Sequence, residues 1–497
     1  MTKQKYLLLD FGASHGRCIV AEYDGNTFTM ETVHDFDNVP ATFGGTLYWD
    51  TLRLVSDAKA GIKKAFRKHP EIVSIGVDSW GCDYGYIDKA GKLVANPVNY
   101  RDATRYIYKK KLDGWFGEYE IFRLGGANTN SIMGLYGLYA HKEEDAFELK
   151  VADRLLMEAD IFNYWLTGVP TNEYTLSTMM LMVDQKNKVW EKQLFDKLEL
   201  PYHIVKDLTM PGTPISKMQA GLAEELGIPR VPVIAVAAHD TASAMAGVPA
   251  TAASKNWAYV SLGTWAIYGV EGDSIYSDRK TFELGFANQG GCEGKTNLVD
   301  LFTGLWVIQE CYRRWKDEAD GNLSWNDVVA ACEKAEWGKS FIDLDAEAFA
   351  HPHPNMPERI RQYLNERGEP APNGMGEVAR CVYESLALAL KYRNAAMERI
   401  TGVKTDVLHC VGGGANNALL CQWLADALGI TVMAGPAETT SVGNLIMQMK
   451  GLNAINSIKE GRELAARSSS VREYTPQDTQ KWNSWFDAYL KAAGKTL

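Results

Sequence analysis

The chain has 497 residues, enough for two or more domains with substantial cores, and its 46% hydrophobic and 23% charged residues are a globular balance that sets disorder aside. With 52 Lys and Arg against 62 Asp and Glu, a net charge of −10 and no long basic run, nucleic acid and anionic membrane are excluded as main partners. No stretch nears the ~20 uninterrupted apolar residues of a membrane span. The opening MTKQKYLLLDFG carries too short an apolar run for a signal peptide. Eight cysteines form no CxxC pair, which argues against a zinc knuckle or a thioredoxin motif and for buried thiols. The expected location is the cytoplasm.

In chain order, residues 6–11 predict a strand ending in Asp10, residues 12–16 a small-residue turn, and residues 17–23 and 28–35 two further strands of an antiparallel meander. A P-loop would put a helix directly after the glycines, and the pattern has none. The turn is either an ordinary hairpin or one whose backbone N–H groups face a phosphate, since small residues allow close approach. Residues 51–69 have helical periodicity through Leu52, Leu54, Val55, Ala58, Ile62 and Phe66. Residues 72–77 predict a strand running into Asp78-Ser-Trp-Gly-Cys-Asp83. Polar residues and a Gly at a strand end are where α/β folds hold ligands. Gly81 would give a sugar access to backbone and Asp83 would accept its hydroxyl hydrogen bonds; the alternative is a turn with a packed Trp. Helices are predicted over 104–112, 135–144 and 152–166, and the polar segment 172–178 is expected to face a cleft.

Residues 231–247, VPVIAVAAHDTASAMAG, form the centre of the pattern. A Pro-bounded apolar run of strand length breaks into His239, Asp240 and Thr241, then continues as a small-residue helix. This places a carboxylate at the end of a buried strand, and Asp240 is the expected catalytic base. Taken alone, Asp240 would more often be a mere helix cap, and the motifs elsewhere in the chain overturn that reading. Strands over 257–262 and 265–270 around a Gly263-Thr264 turn repeat the opening hairpin, which suggests a duplicated domain with a phosphate held between. Residues 304–315 predict a helix burying Leu305, Ile308, Tyr312 and Trp315, with Gln309 near that face. Residues 377–401 predict a long helix closed by Gly402. A strand over 407–411, three glycines at 412–414, a helix over 417–428 and a strand over 430–434 let a planar ring or a phosphate lie against backbone. Surface helices, including 482–493, follow residue 455. Gly338-Lys-Ser340 mimics the end of a Walker motif, but Glu333 stands where its first glycine would be. Gly374-x-Gly376-x-x-Ala379 follows a Pro-rich loop rather than a strand, and His351-Pro-His353 lacks partners at metal spacing.

Five motifs occur in order: Asp10-Phe-Gly-Ala-Ser-His-Gly-Arg17, Asp78-Ser-Trp-Gly-Cys-Asp83, His239-Asp-Thr-Ala-Ser-Ala244, Ser261-Leu-Gly-Thr-Trp265 and Gly412-Gly-Gly-Ala-Asn-Asn417. Tyr100-Arg-Asp102, Leu166-Thr-Gly168 and Gly304-Leu-Trp306 fill the gaps. The set resembles the FGGY carbohydrate kinases over nearly the whole chain. The resemblance implies an α/β fold of two duplicated actin-like ATPase (ribonuclease H-like) domains with a central cleft. Residues 1–246 would form a domain for the sugar and the catalytic base, 247–455 a nucleotide-binding domain, and 456–497 a helical tail packed on the second domain. It implies transfer of the ATP γ-phosphoryl to a primary ketose hydroxyl, with Asp240 as base. Ala13, Ser14, His15, Gly16, Arg17 and Thr264 would cradle the phosphates, Gln309, Gly413 and Asn417 would line the nucleotide site, Gly81, His239, Asp240 and Thr241 would hold the sugar, and Asp10 would orient Mg²⁺ through water. L-rhamnulose is the implied substrate and L-fuculose, another 6-deoxy ketose, its nearest competitor. A small-molecule sugar is the expected partner, with the chain a monomer or homodimer. Three positions depart from the pattern: His15 replaces Ser or Thr, Gln289 replaces Glu, and Leu301 replaces a polar nucleotide contact. Rival readings are an actin-like ATPase of non-metabolic function, a sugar sensor without catalysis, and a dinucleotide oxidoreductase resting on the glycines at 412–414 alone.

Overall fold

A computed structural model describes residues 3–251 and 254–497. The chain groups into two compact units, Met1–Thr251 with Glu271–Leu298 and Glu438–Ser468, and Ala252–Val270 with Val299–Ala437 and Ser469–Leu497. This grouping does not follow the linear division expected at 246/247 and 455/456. Residues 438–468 join the first unit because the helix Thr439–Gly451 buries Val442, Leu445, Ile446, Met447 and Met449 in the same core as Tyr6, Leu8 and Ile19. The helix Ile458–Ser468 follows it there: Arg462 pairs with Glu271 at 2.7 Å and donates to the Met245 carbonyl at 3.1 Å. Only residues 469–497 of the expected tail belong to the second unit.

The first unit's sheet has six strands in the order Thr213–Lys217, Pro232–Ala235, Ile72–Ser79, Gln4–Phe11, His15–Tyr23, Phe28–Asp37. The last three form an antiparallel meander, while Gln4–Phe11, Ile72–Ser79 and Pro232–Ala235 run parallel and Thr213–Lys217 closes the edge antiparallel. In the second unit, strands follow the order Thr296–Thr303, Trp265–Gly272, Trp257–Leu262, Val407–Val411, Thr431–Ala434, Arg472–Tyr474. Here too a hairpin is followed by two parallel neighbours and an antiparallel edge strand. The duplication suggested by two hairpins thus holds for the sheet order.

Most predicted elements form with shifted ends. The first turn is shorter than expected, because His15 and Gly16 already pair across to Asp37 and Phe36 in the ladder. Gly16 is small for a packing reason: a Cβ there would lie 2.3 Å from the Phe36 ring. Residues 152–166 are not one helix. Ala152–Met157 pairs antiparallel with Tyr84–Asp88, and the helix starts at Glu158. Alternate burial cannot separate a short apolar strand from a helix turn, and the partner strand decides it. Residues 172–178 are fully buried rather than facing open space. Tyr312, expected in the core, stacks instead on Trp325 at 4.0 Å, while Val307 and Cys311 take the buried side of the helix Trp306–Glu318. The 28-residue helix Gly374–Thr401 ends, as predicted, on Gly402 at φ 71°.

Two helices of the first unit approach to backbone contact. A Cβ on Gly443 would lie 1.8 Å from the Ser243 carbonyl oxygen, and one on Gly247 would lie 2.1 Å from that of Thr439. Neither backbone can yield without moving its helix, so Gly443→Ala is expected to destabilise the protein by ~1–3 kcal/mol, the usual cost of overpacking a tight interior. A urea-denaturation midpoint equal to that of the parent chain would contradict this packing.

Candidate functional site

The parallel pairing of Gln4–Phe11 with Ile72–Ser79 puts Asp10 directly beside Asp78 at the ends of adjacent strands, and the antiparallel hairpin puts Arg17 on the other side of Asp10. Arg17 Nη2 donates to Asp10 Oδ2 at 2.8 Å, and Ser441 Oγ donates to the same oxygen at 2.9 Å. Arg17 Nη1 also lies 2.5 Å from Glu438 Oε2. Burial works against the guanidinium charge, but Asp10 and Glu438 outweigh it and raise its pKa. Asp78 has no exposed surface. Its Oδ2 accepts from Asn444 Nδ2 at 2.5 Å, and its Oδ1 has no hydrogen-bond partner. Burial first, and then the charge of Asp10, push this carboxyl well above the usual range, against the Asn444 bond.

The strand Pro232–Ala235 leads to His239 and Asp240, which open the helix Asp240–Ala246. A bridge between Ser79 and His239 brings them alongside the end of Ile72–Ser79. Asp240 keeps 39% of its side chain exposed, and its Oδ1 accepts the Thr241 backbone N–H at 2.7 Å. His239 Nε2 lies 3.2 Å from that oxygen, while Nδ1 is buried without a partner. Burial lowers the His239 pKa in spite of the neighbouring carboxylate, so the ring is neutral at pH 7. Gly81 sits against the same ring: a Cβ there would come within 3.1 Å of His239 Nε2 and 2.9 Å of Met179 Cγ. The predicted group Asp10, Arg17, Gly81, His239, Asp240 and Thr241 is therefore one neighbourhood within the first unit.

Asp83 does not share that role. It is fully buried, and it accepts from Trp49 Nε1 at 2.5 Å, Trp80 Nε1 at 2.8 Å and Arg105 Nη2 at 2.7 Å. Protein donors take the carboxylate that was expected to accept sugar hydroxyls, and its effect is to fix Trp80 and the loop carrying Gly81. In the first turn, Asn38 holds the backbone: its side chain donates to the Gly12 carbonyl at 3.0 Å and its N–H to that of Ser14 at 3.1 Å. Ala13 is half-buried and Ser14 exposed, while His15 is exposed and lies 3.3 Å from Asp37.

In the second unit, the Gly263-Thr264 turn packs on the start of the helix Trp306–Glu318. Leu305 N–H donates to the Gly263 carbonyl at 2.8 Å, and a Cβ on Gly304 would lie 2.5 Å from that oxygen. Thr264 Oγ donates to Gln309 Oε1 at 2.9 Å, so these two predicted residues meet. Gly412, at φ 79°, and Gly414 lie against Leu262 at the end of the adjoining strand, and Gly413 between them is exposed with open space where a Cβ would point. Asn417 is the N-cap of the helix Ala418–Leu428 and accepts the Leu420 N–H at 3.1 Å, so its carbonyl is already used in capping. Leu301 is 40% exposed on its strand, and Gln289 is buried with Oε1 unpartnered.

Residues 5–247 match the FGGY family of carbohydrate kinases, N-terminal domain, and residues 258–452 match the FGGY family of carbohydrate kinases, C-terminal domain. The chain belongs to the FGGY carbohydrate kinases. This kinase is 32% identical over 482 residues to the rhamnulokinase of Bacteroides thetaiotaomicron, covering 97% of this chain and 98% of that one. It is 33% identical to the rhamnulokinase of Halalkalibacterium halodurans, covering 95% and 99%, and 30% identical to that of Bacillus subtilis, covering 99% and 100%. Among solved structures, the xylulose kinase of Lactobacillus acidophilus superimposes with a TM-score of 0.82 at 15% identity, covering 99% of this kinase and 98% of that chain. The ADP-bound glycerol kinase of Plasmodium falciparum does so with a TM-score of 0.78 at 14% identity, covering 99% of each. These likenesses establish the two-domain, actin-like α/β fold, and the family establishes an ATP-dependent sugar kinase. Among the described residues, no helix is long and apolar enough to cross a membrane, and all eight cysteines are buried free thiols.

The sequence pattern missed what supports these residues. Glu438, Ser441 and Asn444 bind Arg17, Asp10 and Asp78 from a helix assigned to the other half of the chain. Their signal was a polar spacing of three and four residues, Ser441, Asn444 and Gln448, inside an otherwise apolar helix. Glu173 was missed as well. Its Oε2 accepts from Thr175 Oγ at 2.6 Å, Leu176 N at 2.9 Å and Ala238 N at 3.3 Å, holding the backbone that precedes His239. Burial pushes its carboxyl up to about 8, against those bonds. A group whose folded pKa is raised adds stability below its unfolded pKa and loses that contribution as pH climbs through the folded value. Glu173→Gln does not titrate, so its stability relative to the parent is expected to improve between pH 5 and pH 9, by up to ~4 kcal/mol. Urea titrations at both pH values measure this, and a difference that stays constant would mean the buried carboxyl is unshifted.

Proposed function

We propose that this kinase phosphorylates the primary hydroxyl of L-rhamnulose to give L-rhamnulose 1-phosphate, with ATP and Mg²⁺, in deoxysugar catabolism in the cytoplasm. The observation that carries the substrate is near-full-length identity of 30–33% to proteins named rhamnulokinase. The first unit would hold the sugar and the second the nucleotide, a division supported by the grouping of Gly81, His239, Asp240 and Thr241 in one and of Thr264, Gln309 and Gly413 in the other.

Phosphoryl transfer is mostly positioning and charge stabilisation. Asp240 is the assigned base. It is part-exposed where an acceptor hydroxyl can reach it, and the Thr241 N–H and the neutral His239 fix its orientation. It would take the hydroxyl proton as that oxygen bonds to the γ-phosphorus and the bond from that phosphorus to the β–γ bridging oxygen breaks, releasing ADP. Within the first unit, the 12–16 turn and Arg17 would offer N–H groups and a cation to the phosphate oxygens.

Among the described residues no group of three or more His, Cys, Asp or Glu is spaced to hold a metal by itself. A nucleotide-bound Mg²⁺ asks less, one or two carboxylates with waters and phosphates completing its shell. The donor set fits that demand: Asp10 sits at a strand end with both its Arg17 and Ser441 bonds on one oxygen, Oδ2. Asp10 would hold the ion through water, and the ion would neutralise charge on the transferring phosphoryl group.

Asp240→Asn is expected to cut turnover by ~10²–10⁴, the scale of a general base. Sugar-dependent ADP release from L-rhamnulose, L-fuculose, L-ribulose and D-xylulose tests the substrate. Faster turnover of L-fuculose than of L-rhamnulose would reassign it, and ADP release indifferent to every sugar would return the chain to the non-metabolic ATPases.

A further inference from the structure

The helix Thr439–Gly451 carries three fully buried polar side chains on one face, Ser441, Asn444 and Gln448. Ser441 and Asn444 each bond to one of the two central strands of the first unit, and Gln448 bonds to both. Farthest from the strand ends, Gln448 Nε2 donates to the Leu7 carbonyl at 3.0 Å and Gln448 Oε1 accepts from Ser74 Oγ at 2.7 Å. One turn nearer, Asn444 donates to the Gly76 carbonyl at 3.3 Å and to Asp78 at 2.5 Å. At the strand ends, Ser441 donates to Asp10 at 2.9 Å. Gln448 Nε2 also donates to Asn444 Oδ1 at 2.8 Å, so these two side chains lock each other's amide orientation.

The same helix grips the element that bears Asp240. Ser243 Oγ donates to the Thr440 carbonyl at 3.0 Å, Thr440 Oγ donates to the Asp240 carbonyl at 3.5 Å, and Gly443 lies against the Ser243 backbone. Its first turn therefore touches the Asp10 side chain with one residue and the Asp240 backbone with the one before it. These contacts leave little freedom between the carboxylate at the phosphate end of the reaction and the one at the acceptor end.

We infer that Ser441 and Asn444 are positioning residues for phosphoryl transfer, fixing Asp10 and Asp78 relative to Asp240 through a single rigid helix. This rests on the assignment of Asp10 and Asp240 made above. Gln448 belongs to the same stripe, but its bonds go to the Leu7 carbonyl, to Ser74 and to Asn444, so it touches neither Asp10 nor Asp78 and supports Asn444 from behind.

Ser441→Ala removes one hydroxyl without adding bulk. It is expected to lower kcat ~10–100-fold, as a small misplacement of a reacting group does, while KM for the ketose that the panel identifies stays within ~2-fold. Ser74→Ala is the control, because it leaves Gln448 Oε1 without its donor while keeping the Gln448 bond to Asn444: it is expected to lower the urea midpoint at least as much as Ser441→Ala while leaving kcat within ~2-fold of the parent. A parent-like kcat in Ser441→Ala overturns the inference, and so does an equal loss of kcat in Ser74→Ala, which would make the stripe a matter of stability alone. Asp240→Asn run in parallel separates the two failures. If it is inactive while Ser441→Ala is normal, only the positioning role falls; if it is active, the assignment of the base falls first.

Discussion

The arrangement depends on the absence of two side chains. Gly247 and Gly443 let the helices Asp240–Ala246 and Thr439–Gly451 meet backbone to backbone, where any Cβ would overlap a carbonyl oxygen. That contact brings a segment more than 190 residues distant in sequence under the strands that carry Asp10 and Asp78. Once it is there, the polar stripe of the second helix is enclosed, and every polar group in it must find a partner inside the protein. Ser441, Asn444 and Gln448 find theirs on the two central strands.

Several buried charges in this unit follow from the same economy of donors. Removing one partner from a buried carboxylate exposes the other to the full cost of desolvation, which exceeds the ~1 kcal/mol net worth of an ordinary hydrogen bond. Asp83 meets that cost with two indoles and a guanidinium, and becomes a structural anchor in doing so. Asp78 meets it with one amide, and its burial and the nearby charge of Asp10 push its carboxyl well above the usual range. Asp240 escapes it by staying part-exposed. Three aspartates, Asp78, Asp83 and Asp240, thus differ in surroundings because they differ in access to water and donors, and the part-exposed one is the residue proposed as base.

The legible part of the site was carried by residues close in sequence. Asp10 and Arg17 sit across one hairpin, His239 to Thr241 are consecutive, and Gly412 to Gly414 are consecutive, so local pattern was enough to mark them. Thr264 and Gln309 lay further apart, and the resemblance to a kinase family linked them. The role expected for Asp83 failed because composition cannot reveal that Trp49, Trp80 and Arg105 converge on it. Residues 172–178 read as a polar segment facing a cleft because a satisfied buried network and a cleft lining have the same letters.

By itself, the sequence determined the duplicated α/β plan, the strand-end location of the acidic residues and membership in a kinase family, since these rest on periodicity, turn residues and ordered motifs. Tertiary structure alone decided which unit residues 438–468 serve, which aspartate is exposed and which side chains hold the others in place. Those outcomes depend on contacts across hundreds of residues and on competition for a limited number of buried donors, and neither is encoded in any local stretch of chain.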